Sequence, residues 1–260
     1  MTHDHVMAQT ARPASTGDRT RDAARHHEAR RAPPPVLLPS VAAKISRPQM
    51  LRNGIRRQRL LDRLDAAAHC PVVLVCAGAG WGKTVLVSSW AETRNASVGW
   101  LALDEQDDSA PGFWSYVVAA LRASGNVPPG NPLAEMQSVP DNDIERVRDL
   151  AHGLGRLRRR VTLVLDDFQE IRDSRVIRDL TLLLRHPPST LQLILIARSE
   201  PALPLHRLHA AGHLVEIRAP DLAFTAAEAA DLLDRHGLAR TGDDVAALLG
   251  RTEGWPVGLQ

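Results

Sequence analysis

The run Pro71-Val72-Val73-Leu74-Val75-Cys76 passes directly into Ala77-Gly78-Ala79-Gly80-Trp81-Gly82-Lys83-Thr84. A continuous apolar, β-branched run has the character of a strand buried on both faces, as in a parallel sheet. After the glycines, Val85, Leu86, Ser88, Ser89, Trp90 and Ala91 read as a helix with apolar side chains to bury. Strand, glycine loop and helix together make an anion site. Successive backbone N–H groups point into one concavity, and the helix N-terminus adds its own unpaired N–H groups and dipole.

Lysine usage sharpens this reading. Of 32 basic residues only Lys44 and Lys83 are lysine. Position 83 thus calls for a compact ammonium that reaches β/γ-phosphate oxygens, where the broad planar fork of arginine is no equivalent. The following Thr84 supplies a hydroxyl for Mg²⁺. The expected nucleotide-binding residues are Gly78, Ala79, Gly80, Trp81, Gly82, Lys83, Thr84 and Val85, with Ala77 where the pattern usually opens on glycine. A second buried run, Val161 to Leu165, ends in Asp166-Asp167. An acid at the end of such a strand holds the metal in P-loop enzymes, so Asp166 joins Thr84 as the expected Mg²⁺ pair. Asp167 is expected to polarise the attacking water. A third run, Leu191 to Ala197, ends in Arg198, placed at the strand end to read charge on the γ-phosphate.

Other features bound the function. The formal charge of +2 is too balanced to argue for nucleic acid on its own. No apolar stretch approaches the roughly 20 residues a membrane span needs, and the N-terminus lacks a secretory core. Cys70 and Cys76 are expected as buried free thiols in a reducing, cytoplasmic setting. Residues 1–40, rich in Arg, His, Ala and Pro, read as a disordered tail. Neither the tail histidines nor His206, His209 and His213 have the frame of a metal site.

Over residues 41–220 strands and helices alternate, the mark of a parallel α/β sheet. Helices are expected over Ile55–Ala68, around Phe113-Trp114, along Ile144, Val147, Leu150, Leu154 and Leu157, and around Val176–Leu184. Arg158-Arg159-Arg160 is expected to close the third of these, and short strands are expected at Val98–Leu103 and Leu214–Ile217. From residue 221 onward the pattern turns helical. Thr225-Ala226-Ala227-Glu228 forms a capping box, Asp243–Leu249 follows, and Gly254-Trp255-Pro256 breaks the pattern. Residues 221–260 are expected to be the start of a truncated helical lid.

These motifs resemble the nucleotide-binding oligomerisation module of MalT-type, LuxR-family transcription regulators, in the STAND class of P-loop ATPases. The resemblance runs over about residues 44–260. It is carried by Lys44-Ile45-Ser46-Arg47-Pro48, the loop Ala77 to Thr84, Trp100-Leu101-Ala102-Leu103-Asp104 and Phe113-Trp114. Leu165-Asp166-Asp167-Phe168, Arg198 with Pro201, Leu222-Ala223-Phe224-Thr225 and Gly254-Trp255-Pro256 complete it. The resemblance implies a three-layer, ASCE-type fold with a parallel sheet ordered 5-1-4-3-2, followed by a helical lid. It implies an ADP-bound resting state, exchange for ATP under an unknown inducer, slow hydrolysis and self-association when ATP is bound. It places Arg57 near the base and Pro256 beside the adenine, and it assigns DNA contact to a C-terminal domain outside this chain. Three positions depart from the family pattern: Gly78 for Pro, Gln169 for His, and Gln58 for Glu after Arg57. Two other classes are compatible with the motifs, namely a conventional AAA-type ATPase or small-molecule kinase, and a non-hydrolysing interaction module.

Overall fold

The computed structural model describes residues 39–49, 54–93, 98–136, 139–238 and 241–259. The expected tail lies outside them up to residue 38, and Pro39 already opens a helix. Five strands form one parallel sheet: β1 (Val72–Cys76), β2 (Val98–Ala102), β3 (Val161–Asp166), β4 (Leu191–Ala197) and β5 (Leu214–Arg218). Their order is β2-β3-β4-β1-β5, the 5-1-4-3-2 arrangement expected of a P-loop ATPase. The helices are α1 (Pro39–Lys44), α2 (Gln58–Ala66), α3 (Lys83–Thr93), α4 (Ala110–Ala123), α5 (Pro132–Glu135) and α6 (Asp143–Gly155). They continue with α7 (Ser174–Arg185), α8 (Leu205–Ala210), α9 (Ala219–Leu222), α10 (Ala226–Arg235) and α11 (Gly242–Thr252). Residues 38–260 form one compact unit.

The mostly apolar runs become strands because both of their faces are covered, and the buried Thr162 and Gln192 within β3 and β4 bond to each other. Val72 and Leu74 face a layer that includes Phe113, Trp114 and Leu121 of α4, Leu150 and Leu154 of α6, and Leu180 and Leu184 of α7. Val73 and Val75 face the opposite layer, with Leu60, Leu61 and Leu64 of α2 and Leu86, Val87 and Trp90 of α3. Helix α3 is held to α2 by Trp90 Nε1, which donates to Asp65 Oδ1 at 2.7 Å. A smaller cluster, Ala229, Leu233 and Val245, joins α10 to α11.

Several local expectations need correction. The helix expected over Ile55–Ala68 begins only at Gln58, because residues 54–57 run as a non-helical lead-in with Ile55 buried. Ile144 is 74% exposed, since the inward stripe of α6 passes through Arg146, Leu150 and Leu154 at i, i+4, i+8. The Arg158–Arg160 triplet does not close α6, which ends at Gly155. Leu157 turns inward beyond it, and Arg160 Nη2 donates instead to the carbonyls of Cys70 and Leu191 at the base of the sheet. Cys76 is buried and free as expected, whereas Cys70 is only half-buried.

The acidic stretch after β2 fastens loops. Lys44 Nζ lies 2.7 Å from both Asp104 and Asp107, and Asp108 Oδ1 accepts from the backbone N–H groups of Arg172 and Asp173. Behind it, Arg146 and Asp179, both fully buried, share Asp179 Oδ2 with Trp114 Nε1, at 2.9 Å and 3.0 Å. Removing one member strands a buried charge. Arg146→Ala is therefore expected to lose about 3–5 kcal/mol of unfolding free energy in urea titration. Replacing both ionic partners by Met and Leu is expected to lose much less.

Candidate functional site

Between the end of β1 and the start of α3 the chain curls over the sheet edge. Gly80 and Gly82 have φ of +76° and +71°, a region that side-chain-bearing residues rarely adopt. A Cβ on Gly80 would also lie 2.8 Å from Val257 and 3.0 Å from the Trp255 ring, so the position excludes a side chain twice over. Lys83 opens α3 almost fully buried, and its Nζ donates to the Gly78 carbonyl at 2.8 Å. Burial lowers the Lys83 pKa, while the nearby Asp167 and Asp166 charges oppose that shift. A buried ammonium with a single hydrogen-bond partner among the described residues, one carbonyl, is poised for anionic oxygens.

Thr84 Oγ1 donates to Asp166 Oδ1 at 3.0 Å. Asp166 ends β3 and is 5% exposed; burial pushes its carboxyl up to about 6, with the Asp167 charge adding to the rise and the Thr84 bond opposing it. Next in the chain, Asp167 takes a left-handed φ of 56°, a conformation aspartate tolerates better than most residues. Its Oδ1 is 3.3 Å from Arg198 Nε and accepts from Gln169 Nε2 at 2.9 Å. Gln169 Oε1 in turn accepts from the Arg198 backbone N–H at 2.9 Å, so one amide joins the ends of β3 and β4.

The segment after β5 closes over this edge. Arg57 Nη1 and Nη2 donate to the carbonyls of Leu222 and Ala223, and Nη2 also meets Glu228 at 3.1 Å. The Arg57 guanidinium lies 4.5 Å from the centre of the Phe224 ring. Arg59 grips the same strip through Asp221 O, Ala223 O and Glu228. Glu228 also completes the Thr225 capping box. At the far end, Phe224 N–H donates to Gly254 O at 2.9 Å, and Trp255 Nε1 donates to Ala79 O at 3.1 Å. The resulting cavity, about 550 Å³, runs from Gly80 and Gly82 to Ile55, Arg57, Phe224 and Pro256.

The loop residues Gly78 to Val85 thus meet Asp166, Asp167 and Arg198 at one sheet edge, while Arg57 and Pro256 stand along the cavity leading away from it. The set fits a nucleoside phosphate with Mg²⁺. The ammonium and helix N-terminus suit the phosphates, the Thr84–Asp166 pair suits a small hard cation that takes its remaining ligands from phosphate and water, and the apolar cavity suits a base. Sequence reading missed three participants: Gln169 as a bridge, Trp255 as a donor to the loop, and His236 on the cavity wall. Gln169 carried a signal as a departure from the family pattern, and Trp255 stood inside the Gly254-Trp255-Pro256 landmark without a role of its own.

The family model described as AAA ATPase domain matches residues 55–196, more than half of the chain. The chain belongs to the AAA ATPase domain family. The chain is 33% identical over 227 residues to the HTH-type transcriptional regulator MalT of Klebsiella pneumoniae, an alignment that covers 86% of this chain and 25% of that relative. It is 33% identical over 228 residues to MalT of Serratia proteamaculans, with the same coverage. The resemblance to MalT-type regulators is thereby shown, and the chain spans about a quarter of the length of these relatives. Among solved structures, the Pyrococcus horikoshii STAND protein with a tetratricopeptide repeat sensor superposes with a TM-score of 0.53 at 17% identity, covering 87% of this chain and 31% of that one. A Walker-type ATPase of Pyrococcus abyssi gives 0.54 at 17% identity, covering 82% and 68%. Both likenesses support the fold. Among the described residues no helix is long and apolar enough to cross a membrane.

The raised carboxyl of Asp166 carries a pH dependence. Its folded pKa lies above the unfolded 3.8, so the folded AAA module holds this proton more tightly. The resulting stabilisation is complete below about pH 4 and is lost as pH rises through about 6. Asp166→Asn removes the titration. Relative to wild type, the variant is expected to gain on the order of 2 kcal/mol more at pH 7.5 than at pH 4, read from urea midpoints at both pH values.

Proposed function

We propose that the chain is an ATP/ADP-binding switch module of a MalT-like transcription regulator, with residues 41–220 as the nucleotide-binding part and 221–260 as the start of a helical lid. The observation that carries this reading is the direct contact of the Gly254–Val257 turn with the phosphate loop, through Trp255 Nε1 on Ala79 O and the packing at Gly80. Whatever occupies the loop is felt by the turn that closes the cavity. Lys83 and the backbone of Gly78 to Val85 hold the phosphates, Thr84 and Asp166 hold Mg²⁺, and Arg57 and Pro256 flank the base. Bound Mg²⁺ neutralises phosphate charge and fixes its orientation.

Asp167 and Arg198 distinguish ATP from ADP in this reading. Arg198 now faces the Asp167 carboxylate at 3.3 Å, across a half-exposed pair of the kind worth little in water. A γ-phosphate offers the guanidinium a stronger anionic partner and frees Asp167 to polarise a water, which gives slow hydrolysis and a reset. Nucleotides shift the lid equilibrium only by their differential affinity for its two arrangements, and nearly complete switching requires roughly 5.5 kcal/mol. Self-association accompanies the ATP-bound arrangement, under an inducer this chain does not identify, and DNA contact belongs to another domain.

Calorimetric titration of MgADP and MgATP into the chain and into Lys83→Ala tests the proposal. Binding by the parent and a loss of roughly 10- to 100-fold in the variant are expected. Equal affinity of parent and variant overturns the phosphate-site assignment. Asp167→Ala is expected to bind MgATP and to abolish phosphate release; unchanged turnover removes the water-polarising role.

A further inference from the structure

The cavity beyond the phosphate loop is mostly apolar, and two side-chain nitrogens on its wall stand out. His236, directly after α10 and solvent-exposed at the cavity rim, places its Nδ1 2.8 Å from the carbonyl of Leu232, another cavity residue. A carbonyl only accepts, so Nδ1 carries the proton and, in the neutral ring, Nε2 is left as an acceptor. Nε2 has no hydrogen bond among the described residues. Arg57 is the second. It is 7% exposed, its two terminal nitrogens are committed to the lid, and its buried Nε–H has no partner among the described residues. A cavity lined by both an acceptor and a donor suits a ligand edge that presents a donor and an acceptor.

Resting on the nucleotide-binding reading above, we infer that His236 is the residue that selects the base, and that it selects a 6-aminopurine. The exocyclic amine of such a base donates to His236 Nε2, while a neighbouring ring nitrogen accepts from Arg57 Nε–H. A 6-oxopurine presents an oxygen lone pair where the amine stood. It would face the Nε2 lone pair after displacing the water that solvates this exposed nitrogen, and the lost hydrogen bond would not be replaced, which is how hydrogen-bonding sites discriminate. The selectivity lies in the lid, at the C-terminal end of the helix whose Glu228 pairs with Arg57, so base recognition and lid position are coupled.

ATP and inosine triphosphate differ at position 6 and in the proton on N1, and their magnesium complexes form the test. Both are titrated calorimetrically into the full chain, into His236→Ala and into His236→Gln, which retains an acceptor. Wild type is expected to prefer ATP. In His236→Ala the ATP-to-inosine-triphosphate preference should fall about tenfold through weaker ATP binding, with inosine triphosphate affinity kept as the sign of an intact lid. His236→Gln should restore part of the preference. A preference unchanged in His236→Ala overturns the assignment, as does an equal loss for both nucleotides, which marks a purely structural side chain. Wild type that binds neither nucleotide sinks the switch reading itself, an outcome distinct from tight ATP binding without a His236 effect.

Discussion

Every strand of the sheet is parallel, so β1, β3 and β4 finish on the same edge, and the chemistry of the molecule depends on that shared finish. Residues far apart in sequence, Lys83, Asp166 and Arg198, become neighbours because each follows or ends a strand of matched register. The paired positions Leu74–Leu195 and Leu163–Leu193 show how closely the strands are kept in step. The apolar layers on both faces supply the cohesion that holds this edge in place, and the charges sit where the layers stop.

Burial gives these charges their character. Lys83 and Asp166 are both poorly hydrated, and burial alone disfavours the ionised form of each. Such groups gain from a partner that brings compensating charge, which is why a cation and an anion arriving together fit the edge better than either alone. Asp167 and Arg198, by contrast, remain about half-exposed and readily exchange partners.

Much of the sheet was legible because strands covered on both faces are written as predominantly apolar runs, and their ends fell within a residue or so of the textual boundaries. The glycine loop was legible through residue type, since lysine is rare in this chain and glycine is needed where φ is positive. Less visible were contacts made by ordinary residues at long range. Nothing in the local pattern marks Arg59 as a partner of Ala223, or Trp255 as a donor to Ala79, because these depend on how the segment after β5 folds back. Ile144 misled for a related reason: a helical stripe read from hydrophobicity alone cannot reveal that a buried arginine, Arg146, holds the inward position through its pair with Asp179.

The two ends of the closing segment are held very differently. Its near end, Asp221 to Glu228, is gripped by Arg57, Arg59 and Arg63 through a row of carbonyls and carboxylates. Its far end rests on the loop through one indole N–H and the side chain of Val257. A body fastened this way has a fulcrum at the arginine row and a free arm over the phosphate loop. Helices α10 and α11 lie between these two unequal holds, so the contact beneath Trp255 is the weaker constraint on where they sit.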